Sequence, residues 1–377
     1  MKKTMSNPSN SISHNPLAYT HPNPPRLKLE NKQSSYRSEF AIDRDRILYS
    51  GAYRRYQGKT QVFPFANLFD EEMTNRSLHT TYVSQIGRTI GKALGLNLEL
   101  IEAIALGHDL GHAPFGHIGG RVLNDLCKKH NIGGFSHSLQ SLHIVDNISN
   151  RGEGLNLTLP TRDGILFHDG DMKHRVLTPA KDPTQDEFEK LIGRDRLNKK
   201  PIENFPFTYE GCVVRQADTI AYLGQDFEDA LRLGILQRDD IPREISKHLG
   251  TTNSQIVSKL VKSIIATSMG QEFIALDKTS FEVMSALREF NYKKIYSQRD
   301  NILEKIKRGM RILFETYLQD LEKTNGISKI FKHFLNKKSN KYIDRFNNCQ
   351  KVRDFISTMT DRYFNQELKD LIVLYNF

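Results

Sequence analysis

Residues 105–120, ALGHDLGHAPFGHIGG, limit what this chain can become more than any other stretch. They set three histidines and one aspartate among glycines and a proline. Adjacent His108 and Asp109 can offer an imidazole nitrogen and a carboxylate oxygen to one divalent cation. Pro114 disfavours a helical Ala113, so a helix that delivers His108–Asp109 ends soon afterwards. His112 and His117 then fall on a turn beside that pair. A histidine-rich helix end without a ligand is the plain alternative, and for a lone histidine it is the better one. The local density, with partners elsewhere in the chain, favours a metal site.

Helical spacing dominates the rest. Leu78, Tyr82, Ile86, Ile90 and Leu94 predict a helix over 74–96, stopped by Gly95. A second helix over 98–110 carries Ile101, Ile104, Ala105 and Leu106 and ends on His108–Asp109. Residues 118–149 continue helically with a break at Gly133–Gly134, and 152–161 read as a loop. Residues 168–206 are polar and punctuated by Pro179, Pro183 and Pro201, which marks an excursion or lid. A strong helix over 210–236 has Val214, Ala217, Ala221, Phe227, Ala230 and Leu231 on its buried face. Further amphipathic helices follow at 255–269, 281–290, 302–321 and 352–374. The fold class is therefore all-α. A loosely packed or disordered segment is expected over 1–34, then one helical domain over 35–377. Its core runs from about 74 to 236, with a C-terminal helical part from about 250.

The chain has a net charge of +10, which suits an anionic partner or simple solubility. No aromatic-interleaved basic repeat marks a dedicated nucleic-acid module. No stretch has the length of a membrane span, and the N-terminal residues lack a signal-peptide core. Cys127, Cys212 and Cys349 are widely spaced, as free thiols in a reducing cytoplasm would be.

Asp218 shares a helical stripe with Tyr222 and Asp226, among Val214, Ala217 and Ala221. An anion there needs a cation or a strong donor, and a structural salt bridge would also serve. His79, at the edge of the 74–96 stripe, is alone more often a satisfied core or surface histidine. Together His79, His108, Asp109 and Asp218 can hold Mn²⁺, Mg²⁺ or Fe²⁺ with open positions. His112, His117 and His137 are acid/base candidates. Arg76, Arg54 or Arg55, and Lys173 offer charge to a polyphosphate, and Gln61 lies on a short β-like run. Phosphate-ester hydrolysis is the leading reaction class, and no P-loop, serine elbow or dinucleotide fingerprint competes with it.

These residues resemble a known pattern. The order His79, His108–Asp109, Asp218 is similar to that of HD-domain metal phosphohydrolases. The narrower resemblance is to the deoxyguanosinetriphosphate triphosphohydrolases. It is carried by R-S-E-F-x-x-D-R-D-R-I at 37–47, R-R-x-x-x-K-T-Q-V-F at 54–63 and R-x-L-H-T-x-x-V-x-Q-I-G-R at 76–88. G-H-D-L-G-H-A-P-F-G-H at 107–117, G-L-N-L-T at 154–158, A-D-T-I-A-Y-L-G-Q-D-F-E-D-A at 217–230 and M-T-D-R-Y at 359–363 extend it. The resemblance implies an HD-domain helical bundle with additional C-terminal helices. It implies hydrolysis of a dNTP at the α-phosphorus to deoxynucleoside and tripolyphosphate. It further implies one divalent metal per subunit, a homo-oligomer (tetramer or hexamer), and in some members regulation by a nucleotide or single-stranded DNA.

Residue by residue, the resemblance makes His79, His108, Asp109 and Asp218 metal ligands. Gln61 becomes a sugar-side contact and Arg76 a phosphate contact. Tyr222 and Asp226 would exclude a 2′-hydroxyl and bond the 3′-hydroxyl. His112, His117 and His137 become catalytic or phosphate-contacting. Gly120 departs from the pattern, standing where the family usually has an acidic partner for the catalytic histidine. Ser138 replaces a second acidic residue found in some branches. Asp163, Asp169 and Asp171 are candidate substitutes by sequence. Two alternatives stay open: an HD phosphohydrolase acting on another nucleotide ester, and a nucleotide-binding HD protein with weak or no catalysis that acts as sensor or regulator.

Overall fold

The computed structural model describes residues 15–30, 36–63, 72–169, 174–197, 204–297 and 300–375. Among these the chain is a helical bundle, and the sheet is one two-stranded antiparallel ladder, Val176–Leu177 against Ile274–Ala275.

Three helices make the scaffold of the site. The Arg76–Leu94 helix starts where Asn75 accepts the Leu78 N–H, and stops at Gly95 in the left-handed region, φ 69°. Its buried stripe holds His79, Val83, Ile86, Ile90 and Leu94. The Leu98–Gly107 helix is capped by Asn97 and is apolar almost all round. These two helices cross closely because Gly91 has no side chain: a Cβ there would lie 2.3 Å from Ile101 Cδ1. The Tyr209–Arg232 helix, capped by Thr208, lies against both through Val213, Val214, Ala217 and Ile220, all fully buried. Apolar area of this kind stabilises by about 25 cal/mol per Å², and it is what holds the four future donors in register.

A second apolar cluster gathers Leu123, Leu126, Met310, Leu313, Phe314, Phe355 and Ile356. It joins the Gly116–Lys129 helix to the Asp300–Glu322 and Asn348–Ser357 helices.

Several expectations change. Residues 15–30 lie against the bundle instead of loosely beside it. Arg26 donates to Glu39 and to the fully buried Asp43 at 2.6 Å, and Pro25 O accepts the Leu159 N–H at 2.7 Å. The anchor is ionic, so apolar periodicity could not reveal it. The loop expected over 152–161 gives way to a helix at Leu159, since Pro160 is tolerated in a first turn. The excursion over 168–206 contains the Gln185–Leu197 helix as well as the strand. The single helix expected over 352–374 is two, Asn348–Ser357 and Asp361–Tyr375.

Candidate metal centre and active site

The loop after Gly107 is shaped by three local devices. His108 turns its Nδ1–H back onto Ala105 O at 2.6 Å, which leaves Nε2 as a bare lone pair. Gly111 then presses on the His137–His143 helix so tightly that a Cβ would sit 2.1 Å from Ser141 N. Its N–H donates to Ser141 Oγ at 2.8 Å, and that hydroxyl donates to His108 O at 2.6 Å. Finally, Phe115 takes a left-handed φ of 64°. A bulky residue adopts that conformation at a cost of about 1–3 kcal/mol, so something must hold it. Asp361 does: it accepts the Phe115 N–H at 2.9 Å and the Thr60 N–H at 3.1 Å. Beside it, the buried Lys59 ammonium donates to His112 O and, at 2.7 Å, to Ser357 O.

The four expected ligands converge. His79 Nε2 lies 3.0 Å from Asp218 Oδ1 and 3.9 Å from Asp109 Oδ2. His108 Nε2 lies 3.5 Å from Asp109 Oδ2 and 3.7 Å from Asp218 Oδ1. Metal–donor bonds of about 2.0–2.2 Å put neighbouring ligand atoms roughly 3–3.5 Å apart, so the set fits a single divalent ion. His108 Nε2 supports that fit, being buried and without a hydrogen-bond partner. Burial lowers the His108 pKa to about 4, against the pull of Asp109 and Asp218, so the ring is neutral and ready to ligate. Burial raises the Asp109 carboxyl, but His112, His108 and Arg76 outweigh it and hold it well below the usual range.

Arg76 is 1% exposed and donates from Nη1 to Asp109 Oδ2 at 2.5 Å, while its Nε and Nη2 have no partner. His112 Nε2 lies 3.0 Å from Asp109 Oδ1. The His112 and His137 rings stack at 4.1 Å, and His117 meets both edge-on from the exposed mouth. His112 lies on the turn as expected, whereas His117 falls in the first turn of the Gly116–Lys129 helix.

Except for the fully buried His108, these groups line one cavity of about 550 Å³, together with Gln61, Tyr222 and Asp226 from the expected list. Gln61 Oε1 is buried without a partner, and Tyr296 OH donates to Asp226. Arg54 and Arg55 do not line it. Arg54 is exposed, and Arg55 faces a separate cavity, because the short Gly51–Arg54 helix turns both away. Of the substitute acids, Asp169 lines the cavity with Oδ2 3.5 Å from His137 Nε2. Asp163 is buried elsewhere and accepts the Phe207 N–H at 2.9 Å. Asp171 and Lys173 lie outside the described residues.

His168 was missed. It ends the Leu159–Phe167 helix as His108 ends its own, with Nδ1–H donating to Ile165 O at 2.7 Å. Its Nε2 lies 3.2 Å from His137 Nε2 and 3.8 Å from Asp109 Oδ1. His108, His168 and Asp218 also offer atoms within 4.8 Å of one another. The signal was a histidine at a helix end, hidden because Pro160 made that helix read as loop.

Residues 76–163 match the HD domain, and residues 274–370 match the phosphohydrolase-associated domain. A deoxyguanosinetriphosphate triphosphohydrolase-like protein from Caldanaerobacter subterraneus subsp. tengcongensis is 36% identical, over 91% of this chain and 88% of its own. The chain belongs to this HD-domain family. Another deoxyguanosinetriphosphate triphosphohydrolase-like protein, from Clostridium tetani, is 32% identical over 92% of this chain and 90% of its own. A hypothetical protein of known structure from Aquifex aeolicus is 17% identical over 83% of this chain and 70% of its own. Its TM-score of 0.37 adds nothing to the fold. HD domains bind a divalent metal, and the buried His/Asp cluster could hold one. In this family member Gly120 lines the cavity, and a Cβ there would meet only Phe135 Cε1, at an ordinary 3.7 Å. A carboxylate side chain could therefore start from Gly120 without a clash.

Proposed function

We propose that this phosphohydrolase cleaves deoxynucleoside triphosphates at the α-phosphorus, releasing deoxynucleoside and tripolyphosphate. One observation carries the reading. A single cavity joins three of the four metal donors, His79, Asp109 and Asp218, with His108 buried beside them, to an arginine with two uncommitted nitrogens and to a wall of Gln61, Tyr222 and Asp226. The names of the relatives support the same substrate class.

His79, His108, Asp109 and Asp218 would hold one divalent ion (Mn, Mg or Fe), whose chemistry when bound is to acidify water and polarise a phosphoryl oxygen. Arg76 is fixed by Asp109 and turns Nε and Nη2 to the phosphate chain. On the other side, Tyr296 steers the Asp226 carboxylate towards the sugar 3′-hydroxyl, and Tyr222 packs where a 2′-hydroxyl would go. Gln61 offers its unpaired Oε1 beside them. Attack on the α-phosphorus breaks the bond to the 5′-oxygen, which departs needing a proton. His112, His117 and His137, which line the same cavity, would take a proton from water and return one to that oxygen. His168 and Asp169 orient His137. With Nδ1–H committed to Ile165 O, His168 turns Nε2 to His137 Nε2 at 3.2 Å.

Gly120 favours a second reading, a nucleotide-binding protein with weak catalysis. Among the described residues His117 has ring contacts with His112 and His137 but no hydrogen bond to a carboxylate. One assay decides. The protein is incubated with each dNTP and Mn²⁺ or Mg²⁺, and the products are resolved. Deoxynucleoside with intact tripolyphosphate, lost in His108→Ala, supports hydrolysis at the α-phosphorus. Orthophosphate or pyrophosphate as first product rules it out. Tight nucleotide binding without turnover favours the second reading.

A further inference from the structure

The helix that ends on His168 begins against the N-terminal segment. Thr158, its N-cap, makes no side-chain cap to the helix, and Pro160 has no N–H to offer. The caps come from outside. Pro25 O accepts the Leu159 N–H at 2.7 Å, and Arg26 forms an antiparallel β-bridge with Thr158. Asp43 Oδ2 accepts both the Thr158 N–H, at 2.9 Å, and the Thr158 hydroxyl, at 2.6 Å. Arg26 holds the other Asp43 oxygen at 2.6 Å and places its remaining donors on Glu39 and on Asn156 O. Asn156, at a left-handed φ of 52°, exchanges hydrogen bonds with the Lys28 backbone at 2.8 and 2.9 Å. The helix is thus clamped at its first residue.

Its body cannot absorb a shift. Every residue of Leu159–Phe167 is buried. A Cβ on Gly164 would lie 2.4 Å from Ile104 Cδ1, and one on Gly107 would lie 2.6 Å from Ile165 Cδ1. Interiors packed this closely pass a displacement on. At 1.5 Å per residue, His168 stands roughly 14 Å from the clamp. Its Nδ1–H is tied to Ile165 O of the same helix, so the ring travels with the helix. Its Nε2 meets His137 Nε2 at 3.2 Å, a contact that a slide of about 0.5 Å would break.

The clamp is ionic although its surroundings are apolar. Asp43 is fully buried and the Arg26 side chain is 7% exposed. A buried ion pair adds little stability over apolar side chains of the same volume, but it is directional. Apolar side chains here would fill the space and leave the helix free to slide. We propose that Arg26 and Asp43 are positioning residues for proton transfer: through Thr158 they set the axial position of the helix that carries His168, and so the contact of His168 with His137. The assignment rests on the hydrolysis proposed above.

The test uses the whole chain loaded with Mg²⁺. Turnover of a dNTP, bound metal and melting are measured for wild type, Arg26→Gln, Arg26→Lys, His168→Gln and the double variant Arg26→Gln/His168→Gln. Arg26→Gln should lower kcat about tenfold, a part of what acid/base catalysis supplies, with KM and bound metal within about twofold of wild type. His168→Gln should lose about as much. The double variant should lose no more than His168→Gln alone, since both changes act through one contact. Arg26→Lys keeps a cation against Asp43 and should recover most of the rate. Losses that multiply in the double variant would overturn the proposal, as would an Arg26→Gln whose rate falls only in step with its bound metal. Should Arg26→Gln not fold, Thr158→Val takes its place, removing the hydroxyl given to Asp43 while keeping the shape. An unchanged kcat in Thr158→Val would then overturn the proposal. If wild type releases no deoxynucleoside, the hydrolysis reading fails by itself, and the clamp is judged from imidazole ¹⁵N spectra. Arg26→Gln should move the His137 and His168 signals and leave those of His130 and His248, which are held by Glu315 and Ser280. Unmoved His137 and His168 signals would overturn the clamp.

Discussion

Arg76 is buried and Arg55 half-buried, and they stand in opposite electrostatic settings. Arg76 faces Asp109 at 2.5 Å in a cavity that also holds Asp169, Asp218 and Asp226. Arg55 faces a cavity whose lining has no acid. In the first, a cation and several anions partly cancel, leaving donors of both kinds for a metal and a polyphosphate together. In the second only positive charge remains, so the cavity can discriminate by charge but has no carboxylate with which to hold a metal. The same residue type thus stands among acids in one place and among bases alone in the other, and the carboxylates make the difference.

The largest test of that contrast is His108→Ala. Removing one ligand should cost dNTP hydrolysis roughly a thousandfold, the several kcal/mol a metal contributes. Arg55→Gln should leave the basal rate within about twofold, because it touches neither metal nor substrate. Equal losses in the two variants would erase the distinction between the cavities. Asp109→Asn comes next, since it would give Arg76 the unpaired state of Arg55. Urea denaturation of metal-free protein should then show a loss of about 3 kcal/mol, the scale for breaking a buried pair.

Acid should also separate them. Burial takes the His108 pKa from an ordinary value near 6.5 to about 4. Between those values the unfolded chain binds a proton that the folded chain refuses. Metal-free stability is therefore whole above about pH 6.5 and falls as the pH drops towards 4, by up to about 3 kcal/mol from this group. His108→Gln should flatten that part of a pH series of urea midpoints. Arg55 cannot contribute, since it stays charged throughout. The smallest expected effect is Gly120→Glu, which restores an acid beside the exposed His117. It should raise turnover about tenfold, a modest part of what acid/base catalysis supplies. No change in rate would mean that Asp169 already orients the proton-transfer histidines.

How much of this could be read in advance depended on range. The Arg76–Leu94 and Tyr209–Arg232 helices and the His108–Asp109 pair were legible, because helical periodicity and adjacent ligands are local signals. Asp218 was legible through its apolar neighbours, since a carboxylate among alanines and valines needs a partner. His168 was not, because Pro160 in a helix's first turn looks like Pro160 in a loop. Arg55 was placed in the wrong cavity, as a linear cluster of arginines does not say which way a short helix turns them. The bracing by Arg26 and Asp361 was invisible for a simpler reason. Each depends on a few ion pairs or hydrogen bonds between separate elements, Arg26 to Glu39, Asp43 and Asn156 O and Asp361 to Thr60 and Phe115, and periodicity carries no trace of such contacts.

That last contact bears on how the enzyme is made. Every metal donor lies at or before Asp218, but Phe115 is held in its strained turn by Asp361, and His112 is tied through Lys59 to Ser357. A ribosome synthesises the donors long before it reaches those braces, and domains begin to fold as they emerge. A nascent chain that ends at Tyr342 can therefore collect a metal ion without the geometry to use it. Activity would switch on late and abruptly, when the final helix docks. A chain cut before Asp361 should then bind metal yet be catalytically silent.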